Sequence, residues 1–554
     1  MFVRVKKIGP YEYLYLVENV REGGRHVQRV IKALGRKDEV EASGLLDGLA
    51  ASAARHSRRS IVLSSYYRGA LPELTRRSLG PDLVFGRLWD ETGCRHVLRA
   101  LLAERGFAFD AERAIYLSVL HRLMISGSDR HAEAWRRSVH IPGAETLTLK
   151  QIDKAIAWLG EPTDETGRCT TDAIEEALFQ HRRPLFGEIS VAFYDTTSLW
   201  FEGKGGATLG RRGHSKDDRP HLHQVLLGIV LDAFDRPICS FLWPGNTADV
   251  TTLMPVVDRL RERFGVARAC LVADRGMISA DTIAALEERG LEYILGVRER
   301  STREAGEHVL TDDGAFVPLV VPRADGRRET QLAAKDVRVD GRRYVLCRNE
   351  AEAARDAETR AALLASLERK LQQGDKALVG NAGYRRFLTA PKGDGFAIDP
   401  AKVAADARYD GLYALRTNTR LSALQVVLRY RHLLQVEDAF RTAMALLETR
   451  PVYHRTDAAI RGHVFCTFLA LVLRAELDER LRARKTMALP AWDRIVQDLT
   501  ELSAIEVEQD GRRARLRTAP GPTIDALCRA VGIALPPVFQ EIPSPVQGCD
   551  ACGA

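Results

Sequence analysis

The stretch VAFYDTTSLWF, residues 191–201, decides the fold. Its apolar, aromatic and β-branched residues read as a buried strand, and one carboxylate, Asp195, sits in the middle of it. A carboxylate in such a place is costly unless something pairs with it, and a bound cation is the usual partner. ACLVAD (269–274) has the same character, a hydrophobic strand closing on Asp274. A third acid, Glu437, lies in YRHLLQVEDAF (430–440), whose apolar spacing is helical. Two strand carboxylates and one helix carboxylate suit a magnesium site acting on phosphodiesters.

Working outward from Asp195, the strand at 189–200 leads into a Gly- and charge-rich loop, EGKGGATLGRRGHSKDD. Two more strands follow, HQVLLGIVLD and PICSFLWPG. After them come a helix (TADVTTLMPVVDRLRERFG), the Asp274 strand, a helix (SADTIAALEERG) and the strand LEYILGVRE. The order β-β-β-α-β-α-β predicts a mixed α/β fold, a sheet covered by helices, and is that of a ribonuclease-H-like core. Such a core expects one more helix with another acid, and here it is delayed. Residues 299–418 alternate strand-like runs with a charged helix and read as a β-rich insertion domain, being too long for a loop. The core resumes over 419–480. Ser422 with Gln425 forms a capping box opening the Glu437 helix, and a second helix runs from about Ala458 to Asp478.

The flanks are less specific. Residues 1–37 read as a small β-hairpin unit turning at Glu22-Gly23-Gly24. Residues 38–186 are helical by periodicity and studded with Arg55, Arg58, Arg59, Arg76, Arg77, Arg130, Arg136 and Arg137, which suits DNA binding. Residues 481–554 hold a helix, a charged hairpin and a Pro/Gly-rich end. The excess of 81 Lys and Arg over 74 Asp and Glu permits a polyanionic partner without demonstrating one. No run approaches the length of a membrane span and the start lacks a secretory apolar core, so a cytoplasmic, nucleoid-associated protein is expected.

Other candidates weigh less. Cys549 and Cys552 form a lone C-x-x-C, short of a four-ligand zinc site. His221 and His223 share a strand face and fit a polar face better than zinc. GKGGATLG lacks the Gly-Lys-Ser/Thr ending of a phosphate-binding loop. His214, Lys216 and Arg219 could touch DNA backbone. Trp243 reads as core. Ser279, rather than Asp274, is the helix cap.

Five pieces occur in the order seen in the DDE transposases of bacterial insertion sequences. They are Tyr194-Asp195-Thr196-Thr197, GHSKDDRPHLHQVLLGIVLD, Pro244-Gly245-Asn246-Thr247, Val272-Ala273-Asp274-Arg275-Gly276-Met277, and the segment Tyr430 to Glu437 followed by Arg450-Pro451-Val452-Tyr453-His454. The chain resembles the branch with a β-rich insertion between the second Asp and the Glu. That resemblance covers about residues 1–480. It implies Asp195, Asp274 and Glu437 as catalytic residues holding two Mg2+ or Mn2+ ions. It further implies cleavage at terminal inverted repeats, joining of the freed 3′-hydroxyls to target DNA, and a homodimer on double-stranded DNA. The branch's helix signature is Tyr, then Arg three on, Glu seven on and Lys fourteen on. Tyr430 and Glu437 match, while Leu433 and Met444 stand in for the two cations that hold the end phosphate. Arg441, Arg431 or Arg450 could substitute, with Tyr430 and Arg275 as further DNA contacts. The rival readings are a non-catalytic DNA-binding repressor descended from a transposase, and a resolvase-like nuclease.

Overall fold

The structure is a computed structural model of the 554-residue chain. It describes all residues except 23–24, 57–72, 187–188, 214–218, 298–311, 323–328, 373–383, 390–395, 434–453, 485–489, 510–511 and 543–554, and the single positions 166, 202, 204, 220, 267, 278, 313 and 385. The chain divides into two compact units. One comprises Met1–Leu83, Arg137–His140 and Pro490–Ala554, the other Val84–Arg136 and Ile141–Leu489.

The first unit carries two antiparallel sheets. Phe2–Ile8, Tyr11–Glu22 and Arg25–Arg36 form one, with Glu22 paired to Arg25 on either side of the expected turn. The other orders Phe539–Ile542, Arg512–Arg517, Ser503–Gln509 and Glu73–Ser78. The charged hairpin near the C-terminus is its centre. Glu73–Ser78 departs from the mainly helical reading of 38–186. It is a short strand, and its partner lies more than 400 positions away, so no local pattern announces it. Ser78 Oγ, for example, donates to the Leu499 carbonyl at 3.0 Å.

The second unit is built on a mixed sheet whose strands are β1 (Val191–Trp200), β2 (Gln224–Leu231), β3 (Pro237–Pro244), β4 (Cys270–Ala273), β5 (Tyr293–Gly296), β6 (Val317–Pro322), β7 (Glu329–Val339), β8 (Arg342–Arg348) and β9 (Leu412–Thr417). Their spatial order is β6-β7-β8-β9-β5-β4-β1-β2-β3. β1, β4 and β5 run parallel, and β2 and β3 form an antiparallel meander beside β1. β4 and β5 read as continuous apolar runs because helices cover both faces. Helix α1 (Leu253–Phe264) and helix α2 (Ala280–Glu288) pack on one face, where Tyr194, Val230, Leu260 and Leu286 share a core. Ser279 caps α2, accepting from the Thr282 N–H at 3.0 Å. The other face is covered by helix α3 (423–433) and helix α4 (Asp457–Ala483), through Phe193, Leu199, Val426, Val427, Leu433 and Ile460.

Among the described residues, the stretch expected as a separate β-rich insertion forms a two-stranded sheet of its own, Leu388–Thr389 with Ala397–Ile398, besides strands that join the main sheet. Its strands β6 to β9 continue the same sheet, β9 pairing antiparallel with β5 from Leu415↔Gly296 to Thr417↔Ile294. The edge of β5 offers unpaired backbone groups, and adding strands there satisfies them. The charged helix Glu350–Gln372 packs over a smaller cluster of Leu367, Tyr384, Phe387 and Leu388.

α3 opens on the expected capping box: the Ser422 N–H donates to Gln425 Oε1 at 3.0 Å and the Gln425 N–H to Ser422 Oγ at 3.3 Å. α4 is long and apolar enough to cross a bilayer, yet 72% of its most apolar window is buried within the protein, as befits a core helix. It lies close against the helix Leu149–Leu159, because a Cβ added at Gly462 would come 1.8 Å from the Ile156 carbonyl oxygen.

Candidate active site

β1 and β4 pair in parallel register from Val191↔Cys270 to Tyr194↔Ala273. One step further along stand Asp195 and Asp274, side by side on strands that lie about 4.8 Å apart. Alternation along β1 puts Asp195 on the side of Phe193 and Leu199, the side under α3. Asp195 is half-buried and its Oδ1 accepts the Thr196 N–H at 2.7 Å. From α3, Tyr430 reaches down so that its hydroxyl donates to Asp274 Oδ1 at 3.4 Å, while its ring stacks on Tyr413 of β9. His432 lies on Phe193, with ring centroids 4.7 Å apart. The helix expected to carry the third acid therefore lies over the two aspartates.

Glu437, Arg441 and Arg450 fall outside the described residues, as do His214 and Lys216. Arg275 sits in the short turn Arg275–Met277 directly after Asp274. Arg431 is half-buried on α3 near Tyr413. Arg219 is exposed, its guanidinium 4.5 Å from the centre of the Trp200 ring at the end of β1. Tyr430, expected against DNA, donates from its hydroxyl to Asp274 across the gap between helix and strand. His221 and His223 lie before β2 rather than on a strand face, since the Gly-rich loop ends in a turn there. Trp243, expected as core, is partly buried and packs against the core from the side, stacked on Phe241 at 5.1 Å.

The glycine loop is tied to α4 by a carboxylate. Asp457, in the first turn of α4, accepts the Thr208 N–H at 3.0 Å and its hydroxyl at 2.7 Å. A Cβ at Gly206 would stand 2.1 Å from Asp457 Oδ1, so only glycine lets the loop approach this closely.

Behind β1, on the opposite face, lies a carboxylate that the sequence reading passed over. Thr196 Oγ1 donates to Asp249 Oδ1 at 3.2 Å. The Tyr194 hydroxyl donates to Thr252 Oγ1 at 2.9 Å, and Thr252 Oγ1 to the Asp249 carbonyl at 2.7 Å. Asp249 follows the quoted Pro244-Gly245-Asn246-Thr247 piece by two residues, and that neighbourhood was the signal available.

A second polar cluster was also unforeseen. Asp129 Oδ2, His454 Nε2 and His463 Nδ1 form a triangle with edges of 3.2, 3.1 and 3.5 Å. Those edges resemble a face of a tetrahedral zinc shell, whose ligand atoms lie about 3.3 Å apart. Arg122, fully buried, argues otherwise: its Nη2 donates to His463 Nδ1 at 2.8 Å and lies 3.4 Å from Asp129 Oδ1. The lone pair a metal would need is taken, and a dication would add to a buried guanidinium charge. The donor set does not fit a metal; it fits a hydrogen-bonded joint in which Arg122 and neighbouring donors hold Asp129 well below the carboxylate range against the cost of burial.

The pair Asp195 and Asp274 does fit a divalent cation. Two hard oxygen donors, side by side at the end of an apolar sheet, repel each other unless positive charge lies between them.

Two family models match the chain. The IS1634 family transposase N-terminal domain matches residues 3–65, and the transposase DDE domain matches residues 187–473, more than half of the chain. No curated protein matches it.

Proposed function

This chain belongs to the DDE transposases of insertion sequences, and from that premise we propose that it cuts DNA at the terminal inverted repeats of its element and joins the 3′-hydroxyl ends to target DNA, at a site made by Asp195, Asp274 and Glu437. The order β3-β2-β1-β4-β5, with β1, β4 and β5 parallel, supports reading this part of the sheet as a ribonuclease-H-like core extended by strands of the insertion. The observation that carries the reading is the lateral pairing of Asp195 with Asp274 beneath α3.

Asp195 and Asp274 would hold Mg2+ or Mn2+, and Glu437 would join them. It follows Tyr430 by seven residues, two helical turns, so a helix continued that far would present both on one face. Bound ions supply Lewis acidity and lower the pKa of a coordinated water. The chain's own part is to fix the geometry. The Thr196 N–H orients one oxygen of Asp195, and the Tyr430 hydroxyl orients one oxygen of Asp274. Arg275 and Arg431, near the pair in sequence and fold, are suited to the phosphates of the DNA end, as are Arg219 at the mouth of β1 and Arg441, Arg450, His214 and Lys216. Bringing two ends together calls for two copies of the chain on DNA.

The test is incubation of the purified protein with duplexes bearing the element's own termini and with shuffled duplexes. Magnesium- or manganese-dependent nicking confined to matched ends, followed by joining to a target plasmid, supports the reading. Binding to matched ends with neither nicking nor joining would point to the repressor alternative.

A further inference from the structure

The proposed carboxylates are held from the front by Tyr430; what holds them from behind is a separate question. Along β1, Tyr194 and Thr196 flank Asp195 and point to the opposite face, where both meet the same short turn, Asp249–Thr251 with Thr252. Thr196 Oγ1 donates to Asp249 Oδ1 at 3.2 Å, and the Tyr194 hydroxyl donates to Thr252 Oγ1 at 2.9 Å. The turn itself is closed by the Thr252 hydroxyl on the Asp249 carbonyl at 2.7 Å. The turn that carries Asp249 lies beside the turn Arg275–Met277 that follows Asp274, with Asp249 Oδ2 facing the open side of Gly276, 3.7 Å from where a Cβ would stand. Asp249 thus accepts from the residue after Asp195 and lies beside the turn after Asp274.

The approach is built by close backbone packing. A Cβ at Gly245 would stand 2.0 Å from the Gln224 carbonyl oxygen, and one at Gly213 2.0 Å from the Gly245 carbonyl oxygen. Gly245 lets the end of β3 lie against the start of β2 and Gly213 lets the glycine loop lie against Gly245, and the Thr247 N–H on the Pro244 carbonyl at 2.9 Å then turns the chain back beneath β1. Gly228, opposite Thr196 on β2, leaves room for the Tyr194 ring, since a Cβ there would be 2.9 Å from the Tyr194 hydroxyl oxygen.

We infer that Asp249 is a positioning residue of the transposase site: as a hydrogen-bond acceptor for Thr196, on a turn that lies beside the turn Arg275–Met277, it fixes the relative placement of Asp195 and Asp274. The inference rests on the assignment of those two aspartates. Its role is that of an acceptor, which an amide oxygen can also fill, and it does not require the negative charge. Groups that orient metal-holding carboxylates are worth about 10- to 100-fold in metal affinity when removed.

The experiment uses the full chain and two readouts, Mn2+ binding by titration calorimetry without DNA and metal-dependent nicking of matched ends, on Asp249→Ala, Asp249→Asn, Thr196→Val, Thr196→Ser and the double variant Thr196→Val/Asp249→Ala, with thermal melting to certify folding. Asp249→Ala and Thr196→Val should each weaken Mn2+ binding about tenfold or more and raise the metal concentration for half-maximal nicking in parallel, leaving end binding unchanged. Asp249→Asn and Thr196→Ser should stay within about threefold of wild type, and the double variant should be little worse than either single, as for one shared contact. Equal loss in Asp249→Asn and Asp249→Ala would overturn the inference, showing that the charge itself is used; so would wild-type binding in Asp249→Ala, or additive losses in the double variant. Should Asp249→Ala fail to fold, the Thr196 pair and Asp249→Asn decide the matter by the same criteria. If instead Asp195→Ala binds Mn2+ and nicks like wild type, the site assignment itself is wrong, an outcome distinct from any of these.

Discussion

The hydroxyl of Tyr430 lies 3.4 Å from Asp274 Oδ1 although 156 positions separate the two residues. A helix resumed after a long insertion is thereby fastened to the strand end it must face. The acceptor is a carboxylate, but at 3.4 Å the hydrogen bond is long, and its net worth is about 0.5–1.5 kcal/mol rather than that of a short charged one. Tyr430→Phe should therefore lower metal-dependent nicking by about two- to tenfold, with end binding and melting temperature nearly unchanged. Single-turnover rates on matched ends check this. A loss of end affinity equal to the loss in rate would mark Tyr430 as a DNA contact instead.

Gly228 faces Thr196 on the neighbouring strand, and a Cβ there would meet Trp243 at 2.7 Å and Tyr194 at 2.9 Å. Gly228→Ala should destabilise the fold by about 1–3 kcal/mol, the usual cost of overpacking, and displace the ring that shares the Thr252 contact. Urea denaturation measures the first effect.

Gly462 presents a harder case, since the obstacle to a Cβ is backbone, the Ile156 carbonyl oxygen at 1.8 Å. Backbone of a packed helix yields little, so Gly462→Ala should cost about 3 kcal/mol or more and lower expression of soluble protein. Gly265→Ala tests a different constraint: its φ of +67° is strained for any side chain, but open space around it limits the loss to about 1 kcal/mol.

Acid should weaken the second unit through two buried histidines. Burial, with Arg122 nearby, pushes His463 down to about 4, and burial pushes His121 down to about 3, both from an ordinary value near 6.5. The charged and titratable groups facing them are Arg122, Asp129, His131 and His454. In the unfolded chain both take up a proton as pH falls through about 6.5, whereas in the folded chain they stay neutral to about 4 and about 3. Their stability is thus fully present above about 6.5 and is lost as pH falls from there through about 4. Each proton changes stability by about 1.4 kcal/mol per pH unit within that window. Denaturation at stepped pH measures the slope, and His463→Gln should remove about half of it. An unchanged slope in that variant would contradict the assignment.

Much of the second unit was legible because its strands are apolar on both faces and its caps are conventional. VAFYDTTSLW, QVLLGIVL, CLVA and YILG appear as strands in the order expected, and Ser279, Ser422 and Gln425 cap as their spacing indicates. Asp195 and Asp274 were visible as acids out of place in such runs. What stayed hidden depends on partners distant in sequence. Glu73–Ser78 looks like part of a basic helical region until the hairpin it joins arrives more than 400 residues later. The strands of the insertion read as a separate domain because sequence shows their alternation and not which edge they extend. Asp249 was passed over because it read as one more residue of the helix TADVTTLMPVVDRLRERFG, and only the fold brings it, on a turn ahead of that helix, behind Thr196. The joint of Asp129, His454 and His463 unites two segments 325 positions apart, with no spacing motif to betray it.

The central claim is that Asp195 and Asp274 act together on DNA. The most direct measurement compares wild type with Asp195→Ala and Asp274→Ala for nicking of duplexes carrying the element's own termini, in Mg2+ and in Mn2+, alongside binding of the same duplexes by gel shift. Nicking should fall to background in both variants while end binding stays within about threefold of wild type. Continued metal-dependent nicking by either variant would contradict the account.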